Sequence, residues 1–320
     1  MIRSRINAAN IQVVVNPVAG SGKAEKIAGT LIQDISKISD ALIRMTFTEK
    51  AGDATFITRK AIQEGSDMII AVGGDGTINE VVNGFFIDGL PVNPDCELGI
   101  ISCGTGRGFG NGILLPREVD RQIGLLINAQ SIPADVGRII YKSLSGETSE
   151  RLFINECQTG IGSKVASVVG KKHKSFGGPI AFGISATIQA IILKPLLLDI
   201  EFDNDPVREY KLIGLVTGNG TECAGGMKLT PDAKIDDGFL DVLMISNMNV
   251  AKRLMNLTKV YSGTHLLSPY FSVKRCKKLN VRSESPALIE ADGEILGNSP
   301  FTIEIIPASI KIKTGFKNST

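Results

Sequence analysis

Hydrophobic and polar positions in the first half of the chain follow two alternating patterns. Short continuous apolar runs, which predict buried β-strands, lie at 11–15, 42–47, 68–72 and 98–101. Between these runs, apolar residues recur every three or four positions, which predicts helices marked by Ile27, Leu31, Ile35 and Ile38 and by the segments 54–63 and 78–86. Strands and helices that alternate through short links predict a parallel sheet with helices packed on its faces.

The second half of the chain consists mainly of short strand-like runs separated by turn residues. These runs lie at 151–157, 210–216, 239–245, 271–275, 278–282, 301–306 and 310–313. A helical period is limited to about 180–193 and 250–260. This pattern predicts a mainly antiparallel, all-β, sandwich-like domain. We therefore predict an α/β domain over 1–140 and a β-rich domain over 141–320, with the boundary between Asp135 and Arg151.

Length and composition narrow the class of protein. A chain of 320 residues is long enough for two domains of ordinary size. Lys and Arg total 35 against 33 Asp and Glu, and a net charge of +2 argues against a dedicated nucleic-acid partner. Five cysteines without a CxxC pair favour buried thiols in a reducing cytoplasm. The longest uncharged segment, 175–193, contains Gly, Pro and Gln and is a poor candidate for a membrane-spanning helix.

Three glycine-rich turns follow predicted strands of the first domain, at 16–23, 73–77 and 103–108. The carboxyl ends of parallel strands lie at one edge of a sheet, so we expect these turns to lie close together. Glycines let backbone N–H groups approach an anion, and the helix that follows adds unpaired donors at its N-terminus. The turns therefore predict a ligand that carries phosphate.

The two common nucleotide motifs do not match these turns. Pro17 stands where a P-loop requires Gly, and none of the turns has the GxGxxG spacing. Asp75 puts a carboxylate beside the predicted phosphate, which would require a cation such as Mg²⁺ between them. The alternative for 73–77 is an ordinary strand-to-helix turn capped by Thr77, and the alternative for 16–23 is a turn with Lys23 in solvent.

The segment Gly73-Gly-Asp-Gly-Thr77, followed by Ile78-Asn-Glu-Val-Val-Asn-Gly84, resembles the signature of the diacylglycerol kinase-like lipid kinases. This soluble family includes sphingosine and ceramide kinases, and the chain is most similar to its compact bacterial branch. Further matches lie at 16–23, 104–106, 135–137, 218–219, 231–238 and 292–294, so that the resemblance extends from about residue 10 to about 313. The Gly-Gly-Asp-Gly-Thr motif alone is shared with NAD kinases, but the later matches are specific to the lipid kinases.

The resemblance implies an ATP-dependent enzyme that transfers the γ-phosphoryl group to a lipid hydroxyl, with a diacylglycerol-like substrate and ATP in a cleft between the domains. The nucleotide contacts that it implies are Asn16, Thr48, Gly73, Gly74, Asp75, Gly76, Thr77, Asn79 and Thr105. It implies a structural Mg²⁺ in the second domain, held by the Asp237 side chain and by the carbonyls of Lys234 and Phe239. From the residues alone, 236–238 is more typical of a hairpin turn.

The resemblance also implies catalytic residues. Glu294 is similar to the family's proton acceptor, a role that Asp292 could share, because a lipid hydroxyl attacks phosphorus only when its proton is accepted. Asp75, together with Asp135, would organise the catalytic Mg²⁺. From sequence alone, 292–294 is again a hairpin turn.

One departure from the family's pattern leaves alternatives open. Arg107-Gly108 stands where the family usually has Asn-Asp after Gly-Thr-Gly, and Gly108 cannot supply a carboxylate. Either Asp75 and Asp135 suffice, or metal affinity is weakened, or activity is lost. Arg107 is then either a phosphate contact or a solvated loop charge. The alternative functions are a kinase of a soluble acceptor such as NAD, and a nucleotide- or lipid-binding protein with impaired catalysis.

A basic stretch precedes the uncharged segment at 176–193. It contains Lys164, Lys171, Lys172, His173 and Lys174. Within the segment, one helical face carries Ile180, Ile184, Ile188 and Ile191. One interpretation is peripheral contact with the inner face of the membrane, and the other is a solvated charge run followed by a core helix. The sequence leaves the oligomeric state open, with a homodimer as one assembly.

Overall fold

The structure is a computed structural model that describes residues 10–36, 41–104, 106–172, 178–223 and 225–316, without the side chains of 169–172 and 178–183. Predictions also rest on residues outside this part, namely Ile38, Thr105, His173 and Lys174, and on the undescribed side chains of Lys171, Lys172 and Ile180. By its internal contacts the chain divides into two compact units, one formed by Met1–Asp135 with Ala308–Thr320 and the other by Val136–Pro307.

The elements of the first unit alternate between strand and helix. The strands are β1 (Asn10–Val15), β2 (Leu42–Phe47), β3 (Met68–Gly73), the short pair β4 (Phe86–Ile87) and β5 (Leu90–Pro91), and β6 (Glu97–Ser102). The helices are α1 (Ala19–Ser36), α2 (Asp53–Gln63), α3 (Asp75–Gly84), α4 (Gly108–Gly112) and α5 (Val119–Asn128). Strand β7 (Ser131–Ser143) then leads into the second unit.

The elements of the second unit are mostly strands. They are β8 (Thr148–Phe153), β9 (Glu156–Gly160), β10 (Leu196–Phe202), β11 (Arg208–Gly218), β12 (Leu240–Ser246), β13 (Phe271–Cys276), β14 (Lys278–Arg282), β15 (Leu288–Ala291) and β16 (Glu294–Lys313). The helices are α6 (Ile161–Lys172), α7 (Gly178–Ile192), α8 (Val250–Ser262) and a short 3₁₀ helix at Thr264–Leu267.

The sheet of the first unit is parallel, as predicted. Its strands run in the order β2–β1–β3–β6, and the end of β16 adds beside β6 through the pairs Lys311–Glu97 and Ile312–Leu98. The central strand β3 is buried along its whole length, because helices cover both faces of the sheet. Helix α1 buries Ala24, Ala28, Leu31 and Ile35, a face that is turned slightly from the predicted one, and Ile27 is only half-buried.

The second unit is antiparallel, which confirms the sandwich-like all-β prediction. One run of strands has the order β13–β12–β11–β10–β14–β16. Strand β9 pairs with both β11 and β15, and β15 pairs with β16. The strands enclose a core of apolar side chains that includes Phe153, Leu198, Val242 and Ile289, while α6 packs on α7 and α7 on α8.

Several elements differ from the sequence-based predictions. The predicted strands 301–306 and 310–313 form one strand, β16, and the predicted strand 151–157 is interrupted at 154–155. The polar stretch 142–150 contains the turn between β7 and β8, at 144–147. The units divide after Asp135, at the first residue of the predicted boundary region and before position 140, and the chain from Ala308 onward belongs to the first unit. All five cysteines are buried, as predicted. None of the helices in the described ranges has both the length and the apolar character needed to span a bilayer.

Candidate nucleotide and phosphoryl-transfer site

The three glycine-rich turns meet at the carboxyl edge of the parallel sheet, as predicted. Backbone hydrogen bonds join the strand ends there, from the Asn16 N–H to the Val72 carbonyl (3.0 Å) and from the Cys103 N–H to the Gly73 carbonyl (2.8 Å). The backbones are so close that a Cβ atom on Gly20 would lie 2.3 Å from the Cys103 carbonyl oxygen. The turns therefore depend on glycine for their mutual packing as well as for ligand access.

A pocket of about 730 Å³ opens between these turns, a size within the usual range for small-molecule sites. Five of the predicted nucleotide contacts line it: Asn16, Thr48, Gly74, Gly76 and Thr77. The rest of the lining comes from the first turn, the loop after β2 and single residues of the helices, namely 17–21, 49–51, Ala54, Glu80 and Gly104.

The first turn of this pocket has a left-handed backbone. Gly20, Ser21 and Gly22 have φ angles of 59°, 59° and 85°, so that regular helix begins only at Lys23. Ser21 is notable because a residue with a Cβ rarely adopts this conformation without a functional or packing reason. Backbone N–H groups of such a turn, followed by a helix N-terminus, form a concave surface suited to an anion.

Helix α3 begins at the same pocket with an open N-terminus. Its N-cap is Gly74, which provides no side-chain cap, so the first-turn N–H groups are available to a ligand. Thr77 does not cap the helix; its hydroxyl accepts a hydrogen bond from Nδ2 of Asn16 (3.1 Å). The ordinary capped-turn interpretation of 73–77 therefore does not describe this segment.

Two other predicted contacts, Gly73 and Asn79, lie outside the pocket lining and have packing roles. A Cβ atom on Gly73 would lie 2.4 Å from the Thr77 hydroxyl oxygen, so only glycine fits there. Asn79 is buried, and its side-chain and backbone oxygens accept hydrogen bonds from Asn83 (3.2 and 2.9 Å).

In the loop after β2, sequence reasoning identified Thr48 but missed the residues that follow it. The Asp53 carboxylate accepts the N–H groups of Glu49 and Lys50 (2.8 and 2.9 Å), and these bonds lower the pKa of Asp53. Glu80 of α3 accepts the Ala54 N–H (3.2 Å). One signal could have indicated this loop, because β2 is a parallel neighbour of β1 and must end at the same edge of the sheet.

Asp75 is the half-buried first residue of α3, and its carboxylate contacts the start of α4. Its Oδ2 accepts the Gly108 N–H (3.1 Å), and burial raises the pKa of its carboxyl above the ordinary value despite backbone hydrogen bonds from Gly108 and Phe109. Gly108, the position at which the family usually has Asp, thus supplies a donor to Asp75. The other oxygen, Oδ1, has no hydrogen-bond partner among the described residues.

Asp135 and Arg107 both hold backbone groups in place. Asp135 is buried, and its Oδ1 accepts the Ala308 N–H (2.7 Å). The Arg107 guanidinium donates to the carbonyls of Ser102, Leu115 and Pro116 (3.3, 3.0 and 2.7 Å). The interpretation of Arg107 as a solvated loop charge is therefore wrong, because its guanidinium fixes the third turn to the chain at 115–116.

The Asp292–Glu294 segment is the turn of the β15–β16 hairpin, as predicted. The Asp292 carboxylate accepts backbone N–H groups from Ile154 (2.8 Å), Asn155 (3.1 Å) and Glu156 (2.9 Å), which ties the turn to the start of β9. Glu294 is half-exposed, and its carboxylate pairs with Arg151 (2.8 Å).

The Asp237 carboxylate, the side chain implied as a ligand of a structural Mg²⁺, is engaged by other groups of the protein. One oxygen of the Asp237 carboxylate accepts the Phe239 N–H (3.1 Å), and the other forms an ion pair with Arg275. Arg275 also lies 3.8 Å from Asp241 and 4.6 Å from the centre of the Phe239 ring. A cationic side chain already balances this carboxylate, so the arrangement does not fit a divalent cation at Asp237.

Comparison with known proteins agrees with this architecture. Residues 10–139 match the model of the diacylglycerol kinase catalytic domain, and residues 155–314 match that of the YegS C-terminal NAD kinase beta sandwich-like domain. The chain is 28% identical to a diacylglycerol kinase of Staphylococcus carnosus over 95% of this chain and 94% of the relative. It is 31% identical to a diacylglycerol kinase of Staphylococcus saprophyticus over 90% of each chain.

Solved structures show the same fold. A diacylglycerol kinase from Bacillus anthracis superposes with a TM-score of 0.72 at 20% identity, covering 97% of this chain and 98% of the other. A yeast NADH kinase superposes less well, with a TM-score of 0.53 at 12% identity over 97% of this chain and 84% of the other. Together with the matched domains and the relatives in sequence, these findings show that the chain belongs to the diacylglycerol kinase-like family of ATP-dependent lipid kinases.

Proposed function

We propose that this enzyme transfers the γ-phosphoryl group of ATP to the hydroxyl of a diacylglycerol-like lipid. The observation that carries the proposal is the pocket formed by the three glycine-rich turns at the carboxyl edge of the parallel sheet. The names of the relatives favour diacylglycerol as the acceptor. The likeness to an NADH kinase is weaker, so NAD serves only as a comparison substrate in the assay.

The triphosphate is proposed to lie against the first and second turns. The left-handed turn at 20–22 and the open N-terminus of α3 both offer backbone N–H groups to phosphate oxygens. Lys50, which lines the pocket, adds a positive charge. The side chains of Asn16 and Thr77 are hydrogen-bonded to each other, so each fixes the orientation of the other before the nucleotide binds.

Mg²⁺ is proposed to enter with ATP. It would neutralise the charge that develops on the transferred phosphoryl group. Asp75 is the residue suited to hold it, directly or through water, because its Oδ1 is buried and has no partner within the described chain. The Gly108 N–H donates a hydrogen bond to the other oxygen of the same carboxylate and orients it. This chain therefore has a backbone donor at the position where the family usually has a second acid.

Glu294 is proposed to accept the proton of the lipid hydroxyl. Its half-exposed carboxylate is open to a substrate, and Arg151 holds it in one orientation. Asp292 is proposed to position this group, because three backbone N–H groups already occupy its carboxylate. This favours Glu294 over Asp292 as the acceptor.

Peripheral contact with the membrane is proposed for α7. Ile184, Ile188, Ile191 and Ile192 are 48–61% exposed on this helix, whereas a core helix would bury such residues. Lys194 follows directly, and lysines near an anionic bilayer contribute about 1 kcal/mol each. In vesicle flotation, Ile188→Ser should lower binding, whereas Ile32→Ser, at an exposed position of α1, should not.

The function is tested with γ-labelled ATP, Mg²⁺ and vesicles that contain diacylglycerol. Label should appear in the lipid, and Glu294→Gln should reduce the rate about 100-fold or more. The matched control is Glu304→Gln, since Glu304 lies on the same strand and also pairs with an arginine, Arg138. Label transfer to NAD alone, or nucleotide binding without any transfer, would contradict the proposal.

A further inference from the structure

Two glutamates lie side by side inside the second unit, on one face of the β9–β15 pair. Glu290 stands directly opposite Gln158 in the antiparallel register, and Glu156 lies two residues from Gln158 on the same strand. Successive even positions of a strand project from the same face, so the three side chains are neighbours. They are buried: Glu290 is 1% exposed, Glu156 6% and Gln158 7%.

No basic side chain balances these carboxyl groups. Within the described ranges neither glutamate forms an ion pair, and Oε2 of each glutamate lacks a hydrogen-bond partner. Lys164 of the neighbouring helix α6 is exposed. Gln158 hydrogen-bonds to both. The other titratable group beside the pair is Asp292, and the Cys157 thiol projects from the opposite face of β9, so neither adds a positive charge. Two negative charges in this position would repel each other in a low-dielectric interior.

Burial and this repulsion keep a proton on the pair near neutral pH. Burial raises the pKa of Glu290 to about 8, with the charge of Asp292 adding to the effect. Burial, followed by the charges of Glu290 and Asp292, raises the pKa of Glu156 well above its ordinary value. A protonated carboxyl can donate a hydrogen bond to its neighbour, which an ionised pair cannot do.

The same pair supports the turn that carries Glu294. The Gly293 N–H donates to the Glu290 carboxyl, and the Asp292 N–H donates to the Glu156 carbonyl (3.0 Å). The Asp292 carboxylate in turn accepts the Glu156 N–H (2.9 Å). The Glu290 carboxyl therefore contacts the turn directly, whereas Glu156 is joined to the turn through its backbone.

We propose that Glu156 and Glu290 are positioning residues that share a proton and thereby hold the Asp292–Glu294 turn in the geometry needed for phosphoryl transfer. When the shared proton is lost at alkaline pH, the two charges repel, which displaces the Glu290 carboxyl from the Gly293 N–H and loosens the turn. This inference rests on the proposed role of Glu294 for its effect on rate, but not for its effect on the structure of the turn.

The first arm of the test is a pH–rate profile of lipid phosphorylation between pH 6 and 9.5. The wild-type kcat should fall about tenfold for each pH unit above the pKa of the pair. Glu290→Gln has the same shape and cannot ionise, so it should retain its kcat over this range. Glu304→Gln should keep the wild-type profile. A wild-type alkaline limb that persists unchanged in Glu290→Gln would overturn the proposal.

The second arm follows hydrogen exchange of the backbone at 288–296, corrected for intrinsic rates, at pH 7 and pH 9. Wild-type protection should fall about tenfold between these values, whereas Glu290→Gln should keep its protection. Equal loss in both proteins would refute the shared-proton role. If no lipid is phosphorylated at all, the proposed function fails, while this arm still decides the role of the pair.

Discussion

Gly20 is the position at which a single methyl group should disturb the nucleotide site most. A Cβ atom there would lie 2.3 Å from the Cys103 carbonyl oxygen, although real Cβ atoms essentially never approach a heavy atom within 3.0 Å. The residue also has a φ of 59°, which costs an alanine about 1–2 kcal/mol. Relief of the overlap costs about 1–3 kcal/mol more. Gly20→Ala should therefore destabilise the first unit by about 2–5 kcal/mol.

The matched control is Gly22→Ala, two residues away in the same turn. Gly22 also has a positive φ, 85°, but a Cβ atom there would meet nothing within 4 Å. Gly22→Ala should therefore lower the free energy of unfolding only by the cost of the positive φ, about 1–2 kcal/mol. Thermal unfolding should separate the two variants, since each kcal/mol corresponds to about 2–4 °C in a unit of this size.

Nucleotide binding gives a second readout for this pair. Gly20 lines the pocket and Gly22 does not, so the Kd for ATP should rise about tenfold in Gly20→Ala, equal to about 1.4 kcal/mol, and less in Gly22→Ala. Isothermal titration calorimetry on both folded variants measures this difference. Equal melting temperatures and equal affinities would show that the first and third turns do not pack against each other as described.

Three further outcomes follow from single contacts. Arg107→Met should destabilise the enzyme by about 2–4 kcal/mol in urea unfolding, because the carbonyls that it contacts lose their donor. The control Arg121→Met, at an exposed position, should change stability by less than about 0.5 kcal/mol. EDTA should leave the melting temperature unchanged, because Arg275 already balances Asp237; a rise on adding Mg²⁺ without nucleotide would contradict this. The free energy of unfolding should decrease from pH 4.5 to about 8, because the folded state keeps a proton on Glu290 that the unfolded chain releases, and Glu290→Gln should flatten this slope.

The fold was largely predictable because the patterns that define it are local. The run from Met68 to Val72 is apolar at every position, and it forms the fully buried central strand β3. The glycines after β1, β3 and β6 indicated where the turns would meet, since parallel strands end at one edge. Helix α6 was missed because Gly162, Ser163 and Ser167 interrupt its apolar period.

The candidate site was predictable only where its residues belong to a motif. The carbonyl contacts of Arg107 were not predicted, because a sequence does not show which carbonyls will surround a side chain, and here the chain at 115–116 folds back over it. The Glu156–Glu290 pair gave no signal, because the two residues lie 134 positions apart and meet only through the pairing of β9 and β15. Polar residues that are brought together by strand register require the tertiary structure to be recognised.

The most direct test is a phosphoryl-transfer assay in which diacylglycerol in vesicles and NAD in solution compete for γ-labelled ATP. We expect label in the lipid, none in the dinucleotide, and none in either when Asp75 is replaced by Asn, although that variant still folds. Label that goes only to NAD, or lipid labelling that survives Asp75→Asn at the wild-type rate, would contradict the account of this enzyme.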